Sequence, residues 1–279
     1  DNTNVLLLNT HFIPRDRSLK IYLAKRKLRQ GDKVVLISTQ LIEAGVDIDF
    51  PVLYRDFATI SSIVQSAGRC NRNGKNAEKG KVVVVRLGTN QGERSSLIYR
   101  GPDKELIQFS RESFYESENC EEKDMLNIQK AFFEKICDQL IFGAYGEKLK
   151  NNLMEDISQC MYEKVGKFSL VDNNIFGEEC LYYVPRNGDD NNFELLLKYQ
   201  KNLKESLLHD DKISIIRCHK RKLSNQLKKM ANRIVQIRIK PNQSKPITSS
   251  GEDYNGLYKI STKCYNFDTG IIIDGDNYL

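Results

Sequence analysis

The sequence predicts an α/β fold over residues 1–90, built on a parallel sheet, followed by a mixed, mainly helical domain over residues 91–279. Three observations carry this reading: short apolar runs without polar alternation, helix-like segments between them, and a change of character after Gly88. Near-continuous apolar strands suit a parallel sheet, whose two faces are covered by the connecting helices.

Residues 5–8 (VLLL) form the first strand, and residues 18–30 carry a helical pattern ended by Gly31. Residues 33–37 (KVVLI), 51–54 (PVLY) and 81–87 (KVVVVRL) are three further strands, the last rich in β-branched residues. Residues 59–72 read as one helix. This α/β pattern is short for a complete lobe, so the lobe is expected to be partial at its N-terminus. Beyond it come a polar stretch (GTNQGERSS), an acidic segment at 112–124, and helical patterns over 128–142, 147–162, 193–208 and 217–231. Strand-like pieces fall at 181–184, 234–239 and 257–260, and residues 241–256 read as a loop. The domain boundary is expected near residue 90.

Hydrophobic residues at 40% and charged residues at 29% support a packed core and exclude intrinsic disorder. No apolar run approaches the ~20 residues that cross a bilayer, and the N-terminal residues lack a signal-peptide pattern, so a cytoplasmic protein without membrane contact is expected. The seven cysteines are scattered and never form CxxC, which points to neither a disulfide framework nor a metal site. The net charge of +6 is unevenly spread: residues 212–245 hold eleven Lys or Arg and no acid. That stretch, centred on Lys220, Arg221 and Lys222, is either a track for a DNA backbone or a solvated helix face.

Two blocks carry chemistry. In QSAGRCNRNGK (65–75), a helix running to Arg72 puts Gln65, Arg69 and Arg72 on one face, opposite Ile60, Ile63, Val64 and Ala67. Guanidiniums are always charged and grip phosphate oxygens in bidentate fashion, so Arg69 and Arg72 suit charge developing on a transferred phosphoryl group, with Arg72 as the arginine finger. An isolated pair of helical arginines is more often solvated surface charge; the QxxGRxxR context favours the functional reading. In ISTQLIEAGVDID (37–49), Ser38 and Thr39 end a strand where hydroxyls and N–H groups meet a phosphate, Gly45 permits a tight turn, and Asp47 accepts a ribose hydroxyl. Singly, Thr39 and Asp47 are capping or turn residues.

Both blocks resemble motifs V and VI of superfamily 2 helicases, and LLNTHFIPRDR (7–17) is similar to the motif IV region. Within that superfamily, STQLIEAGVDIDFPVLYRD followed by SIVQSAGRCNRNGK most resembles the CRISPR-associated helicase-nucleases of type I systems, as does the near-terminal YNFDTGIII (265–273). The resemblance implies a second RecA-like lobe over 1–90 and an accessory domain over 91–279. It implies that Arg69 and Arg72 meet the ATP phosphates, that Gln65, Gly45 and Asp47 border the nucleotide, and that Thr39, with Thr10 and His11 in the motif IV position, contacts nucleic acid. The implied cofactors are ATP and Mg2+, bound mainly by a first RecA-like lobe. The implied partners are that lobe, an HD nuclease domain, single-stranded DNA and the CRISPR surveillance complex of antiviral defence.

The sequence contains no GxxxxGK[ST] loop, no DExH or DExD box and no HD nuclease set. His209-Asp210 lacks the further ligands that a two-metal site needs, and the sequence has three histidines in all. The chain by itself is therefore expected to be catalytically silent. Two other readings remain: a different superfamily 2 DNA translocase, and a non-catalytic module that binds DNA or protein.

Overall fold

The computed structural model describes residues 3–43, 45–74, 79–90, 92–99, 103–114, 119–138, 153–166, 177–187, 190–240, 243–246 and 248–273. In chain order the first half runs β1 (Asn4–Leu8), α1 (Pro14–Arg29), β2 (Val34–Ser38), β3 (Val52–Asp56), α2 (Ile60–Ala67), β4 (Lys81–Val85), β5 (Gly88–Thr89), β6 (Gly92–Glu93), α3 (Arg94–Ile98), α4 (Asp103–Phe114) and α5 (Met125–Ile136). There follow α6 (Tyr162–Gly166), β7 (Glu178–Tyr183), α7 (Asn192–Leu208), α8 (Ile213–Met230), β8 (Ile234–Ile239), β9 (Thr248–Tyr254), β10 (Leu257–Ile260), β11 (Tyr265–Asn266) and β12 (Gly270–Ile271). The class is mixed α/β. The expected helices over 128–142 and 147–162 lie partly outside the described residues.

The chain divides into two compact units, Asp1–Leu41 with Phe176–Leu279, and Ile42–Ile175. This partition differs from the boundary expected near residue 90, and the reason is visible in the packing of each unit.

In the first unit, β1 and β2 pair in parallel from Asn4↔Val34 to Leu8↔Ser38, connected by α1. Pro14 starts α1 where a missing N–H costs nothing, so the helix begins four residues before the expected start. The expectation that the parallel strands are covered on both faces is corrected: Val5, Val35 and Ile37 are 60, 45 and 53% exposed. Apolar composition along a strand reports burial only where a second layer is supplied, and the described residues of this unit cover one face.

The larger sheet of this unit has the order β8-β7-β10-β9, with β7 parallel to β10 and the outer pairings antiparallel. Alternation along β7 sends Cys180 and Tyr182 to one face, with Ile13, Val235, Ile237, Ile260 and Ile271, and Tyr183 to the other, with Phe193, Leu196, Met230 and Leu257. Ile13 precedes α1, so the motif IV segment is cored by the C-terminal sheet. Of the loop expected over 241–256, residues 243–246 carry no regular structure, while Thr248–Tyr254 is corrected to a strand, β9, joined to β10 at Asn255-Gly256, whose φ angles of 48° and 81° suit a two-residue type I′ hairpin.

The closing segment folds onto α1. The Tyr265 hydroxyl donates to Asp16 at 2.7 Å and accepts the Ile13 N–H at 3.2 Å. Burial, with that bond to a carboxylate, raises the Tyr265 pKa, so the phenol stays protonated and keeps donating. Lys20, 2% exposed, lies with Nζ 4.4 Å from the Phe12 ring centre and 4.3 Å from that of Phe267.

In the second unit, β3 and β4 pair in parallel from Val52↔Lys81 to Asp56↔Val85 and form a sheet separate from β1-β2. The apolar side of α2 packs against helices: Ile60 meets Phe109 of α4 and Phe132 of α5, with Val64, Leu106 and Ile128 around them. The Ile60 N–H also donates to Ser110 Oγ at 3.1 Å. Helices that follow residue 90 thus supply the core for a helix that precedes it, and α4 itself lies where no helix was expected.

Candidate functional site

The helix expected over 59–72 is corrected to Ile60–Ala67. Gly68 caps it, and the chain then turns to lie beside Phe50 instead of continuing: the Phe50 N–H donates to the Arg69 carbonyl at 3.0 Å and the Asn71 N–H to the Phe50 carbonyl at 2.9 Å. Asn71 completes the exit in the left-handed region, at φ 47°. Gln65, exposed on α2, therefore does not share a helical face with Arg69 and Arg72. The two arginines are placed by a turn.

That turn sends them to different partners. Arg69 directs Nε to the Ile42 carbonyl at 3.0 Å and Nη2 to the Glu43 carbonyl at 2.8 Å, so its fork holds the loop that leads to Gly45. Arg72 stays half exposed, with Nη1 3.5 Å from Asp47 Oδ1. Its backbone is fixed from below: Asp49 Oδ1 accepts the Arg72 N–H at 2.8 Å, and Asp49 Oδ2 accepts the Asn73 N–H at 3.2 Å and the Asn73 amide at 3.1 Å. Gly45, at φ 75° and with open space where a side chain would begin, makes the turn that brings Asp47 and Asp49 to this loop. Motif V residues thus clasp motif VI residues through carboxylate-to-N–H bonds, leaving one guanidinium exposed enough to meet a ligand.

Beneath the clasp lies a set that sequence reading missed. Glu43 Oε1 accepts from Arg55 Nη2 at 2.9 Å and from Ser62 Oγ at 2.7 Å, with Glu43 and Arg55 side chains 11 and 18% exposed. It joins the motif V loop, β3 and α2. The signal for it was slight: a charged residue, Arg55, next to Asp56 at the end of a strand that begins apolar. Cys70, beside the clasp, has its pKa raised by burial and then by Asp49, so it remains a thiol.

Thr39, Thr10 and His11 belong to the other unit. Thr39 is exposed at the end of β2, where its N–H donates to the Leu8 carbonyl at 3.3 Å; Thr10 is exposed after β1. The His11 carbonyl accepts the Ile271 N–H at 3.0 Å. Gly270 makes this approach possible, since a Cβ there would sit 2.7 Å from the His11 oxygen. Lys220, Arg221 and Lys222 are exposed on α8. No group of three or more His, Cys, Asp or Glu placed to hold a metal occurs among the described residues, and no described helix is long and apolar enough to cross a membrane.

A family model described as "CRISPR-associated nuclease/helicase Cas3, C-terminal" matches residues 1–75. The CRISPR-associated nuclease/helicase Cas3 of Methanothermobacter thermautotrophicus is 30% identical over 169 residues, 60% of this chain and 20% of the relative. That of Haloferax volcanii is 47% identical over 81 residues, 29% of this chain and 9% of the relative. The chain therefore spans about a fifth or less of the length of these curated relatives. Among solved structures, T. fusca Cas3-AMPPNP aligns over 93% of this chain and 33% of that chain, at a TM-score of 0.51 and 14% identity, a likeness of fold alone. The motif V and VI clasp thus lies in a stretch matched by the C-terminal Cas3 family, and this chain is similar to the C-terminal helicase part of Cas3 proteins.

Proposed function

We propose that this chain forms the second RecA-like lobe and accessory domain of an ATP-dependent DNA helicase of CRISPR type I defence, with Arg72 as its arginine finger. The observation that carries the reading is the clasp: Asp49 fixes the backbone of Arg72 while its guanidinium remains half exposed beside Asp47. A finger must be held in position yet free to meet phosphate, because its charge acts only as negative charge builds on the transferred group.

The residues present fit a phosphate. Arg72 offers a charged fork, and the open turn at Gly45 leaves room beside Asp47. When bound, ATP supplies the phosphoryl group whose transfer drives movement. Mg2+ and the phosphate cradle fall to a first lobe, which with an HD nuclease domain, single-stranded DNA and the surveillance complex completes the proposed assembly. Arg69 acts here as a positioning residue for the motif V loop. Gln65 and Asp47 border the nucleotide, and Thr39, Thr10 and His11 face nucleic acid.

The test is DNA-stimulated ATP hydrolysis by the whole motor. Arg72→Ala is expected to lower turnover by about 10³ or more. Unchanged turnover in that variant overturns the finger assignment.

A further inference from the structure

α7 and α8 form a hairpin that turns within residues 209–212, where Asp210 takes φ 49°. At its tip Leu207, Leu208, Ile213 and Ile215 are 50, 81, 70 and 41% exposed. Single exposed aliphatics are ordinary; here four fall between residues 207 and 215, on both sides of one turn.

Behind the tip, α8 sorts its cations by face. Gln226 and Met230 are buried and fix the rotation of the helix. At about 100° per residue, Arg217, Lys220, Arg221 and Lys228 then share a stripe headed by Ile213, whereas Lys222 and Lys229 each turn about 100° away from their neighbours. The four stripe cations are exposed and have no ion-pair partner among the described residues. Beyond the helix, three cations of the acid-free stretch are engaged: Arg233 binds the Val184 and Pro185 carbonyls, Arg238 pairs with Glu179, and Lys245 with Glu178.

We infer that this hairpin is a contact for single-stranded nucleic acid, in which the α8 stripe follows the phosphates and the apolar tip packs against unpaired bases. The inference rests on reading the chain as part of a DNA-tracking motor. Charge identifies the occupant. Four uncompensated cations spread over about 16 Å of helix call for a polyanion. The tip carries Asp210 and Asp211, which repel phosphate, beside aliphatic surface, which accepts the faces of bases. A duplex keeps those faces stacked inside, so an unpaired strand satisfies both ends of the hairpin.

Fluorescence anisotropy of the 279-residue chain tests this, with an oligothymidylate and an abasic oligomer of equal length as probes, across a salt series. Arg217→Ala with Arg221→Ala and Lys228→Ala should weaken binding of both probes by about tenfold and flatten the salt dependence. Lys222→Ala with Lys229→Ala should stay within about twofold of wild type. Leu208→Ser with Ile213→Ser should lose about fivefold on oligothymidylate and nothing on the abasic oligomer, with the salt dependence intact. All these residues are exposed, and an unchanged thermal unfolding curve for each variant confirms the fold. If the tip variant binds oligothymidylate as wild type does, the base contact is overturned and the patch belongs to a protein partner. If Lys222 and Lys229 matter as much as the stripe, the stripe is overturned in favour of a diffuse field. Neither result bears on the Arg72 assignment, which is read from ATP turnover alone.

Discussion

Asp49 accepts the backbone N–H of Arg72 at 2.8 Å, so a motif V carboxylate sets the position of a motif VI guanidinium that it does not itself touch. The same carboxylate takes two hydrogen bonds from Asn73. On the proposed function, Asp49→Ala should therefore behave as a positioning variant: turnover of the whole motor falls by about tenfold, KM for ATP changes little, and stability drops by about 1–3 kcal/mol. Asp49→Asn, which keeps one acceptor oxygen, should recover part of the turnover. Steady-state kinetics beside urea unfolding separate the two effects; a fall in stability without a fall in turnover sinks the positioning role.

Glu43, Arg55 and Ser62 give a stability prediction of larger size. Their ion pair is nearly dry, and removing one charge leaves the other buried and unmatched. Glu43→Ala should cost about 3–5 kcal/mol in chemical denaturation. Glu43→Ala combined with Arg55→Met should cost less than the sum of the two single changes, which a double-mutant cycle reads directly.

The local conformation around the motif blocks was legible in the sequence where it depends on local spacing: Gly45 makes the expected tight turn, and β1, β2, β3 and β4 lie on the expected apolar runs. What was not legible depends on partners distant in sequence. Thr59–Arg72 has an unbroken helical pattern, yet Phe50 draws Arg69 and Asn71 into backbone bonds and the helix stops at Ala67. Ile13 is cored by Ile237 and Ile271, which no pattern within residues 1–90 announces. The missed strand β9 had its signal in plain view, since Asn-Gly at 255–256 is the favoured dipeptide of a tight hairpin.

Gly270 and Gly31 make a matched pair. Both have positive φ, 83° and 79°, but a Cβ at Gly31 meets open space while one at Gly270 meets the His11 carbonyl. Gly31→Ala should cost about 1 kcal/mol through backbone strain alone. Gly270→Ala must also push the closing hairpin off the motif IV loop and should cost at least about 2 kcal/mol more, read as the difference between two thermal unfolding midpoints. Equal losses would mean that the His11 approach relaxes freely.

Asp190 makes the acid limb of stability predictable. Burial opposes its ionisation, but N–H bonds from Arg186 and Asn192, the Tyr183 hydroxyl and the Asn192 amide outweigh burial and hold the pKa down to about 2. In the unfolded chain an aspartate titrates near pH 3.9, so the folded state favours the carboxylate. Its stabilisation is complete above about pH 5 and is lost as pH falls toward about 2, because the unfolded chain takes up the proton first. The loss should be on the order of 2 kcal/mol. Because Asp190 anchors Tyr183 and the start of α7, Asp190→Asn should lower stability at pH 7 and remove this contribution from the acid limb, bringing the two proteins closer together at low pH. Urea midpoints at several pH values from 7 to 2.5 measure it; parallel curves for the two proteins would show that Asp190 does not govern acid stability.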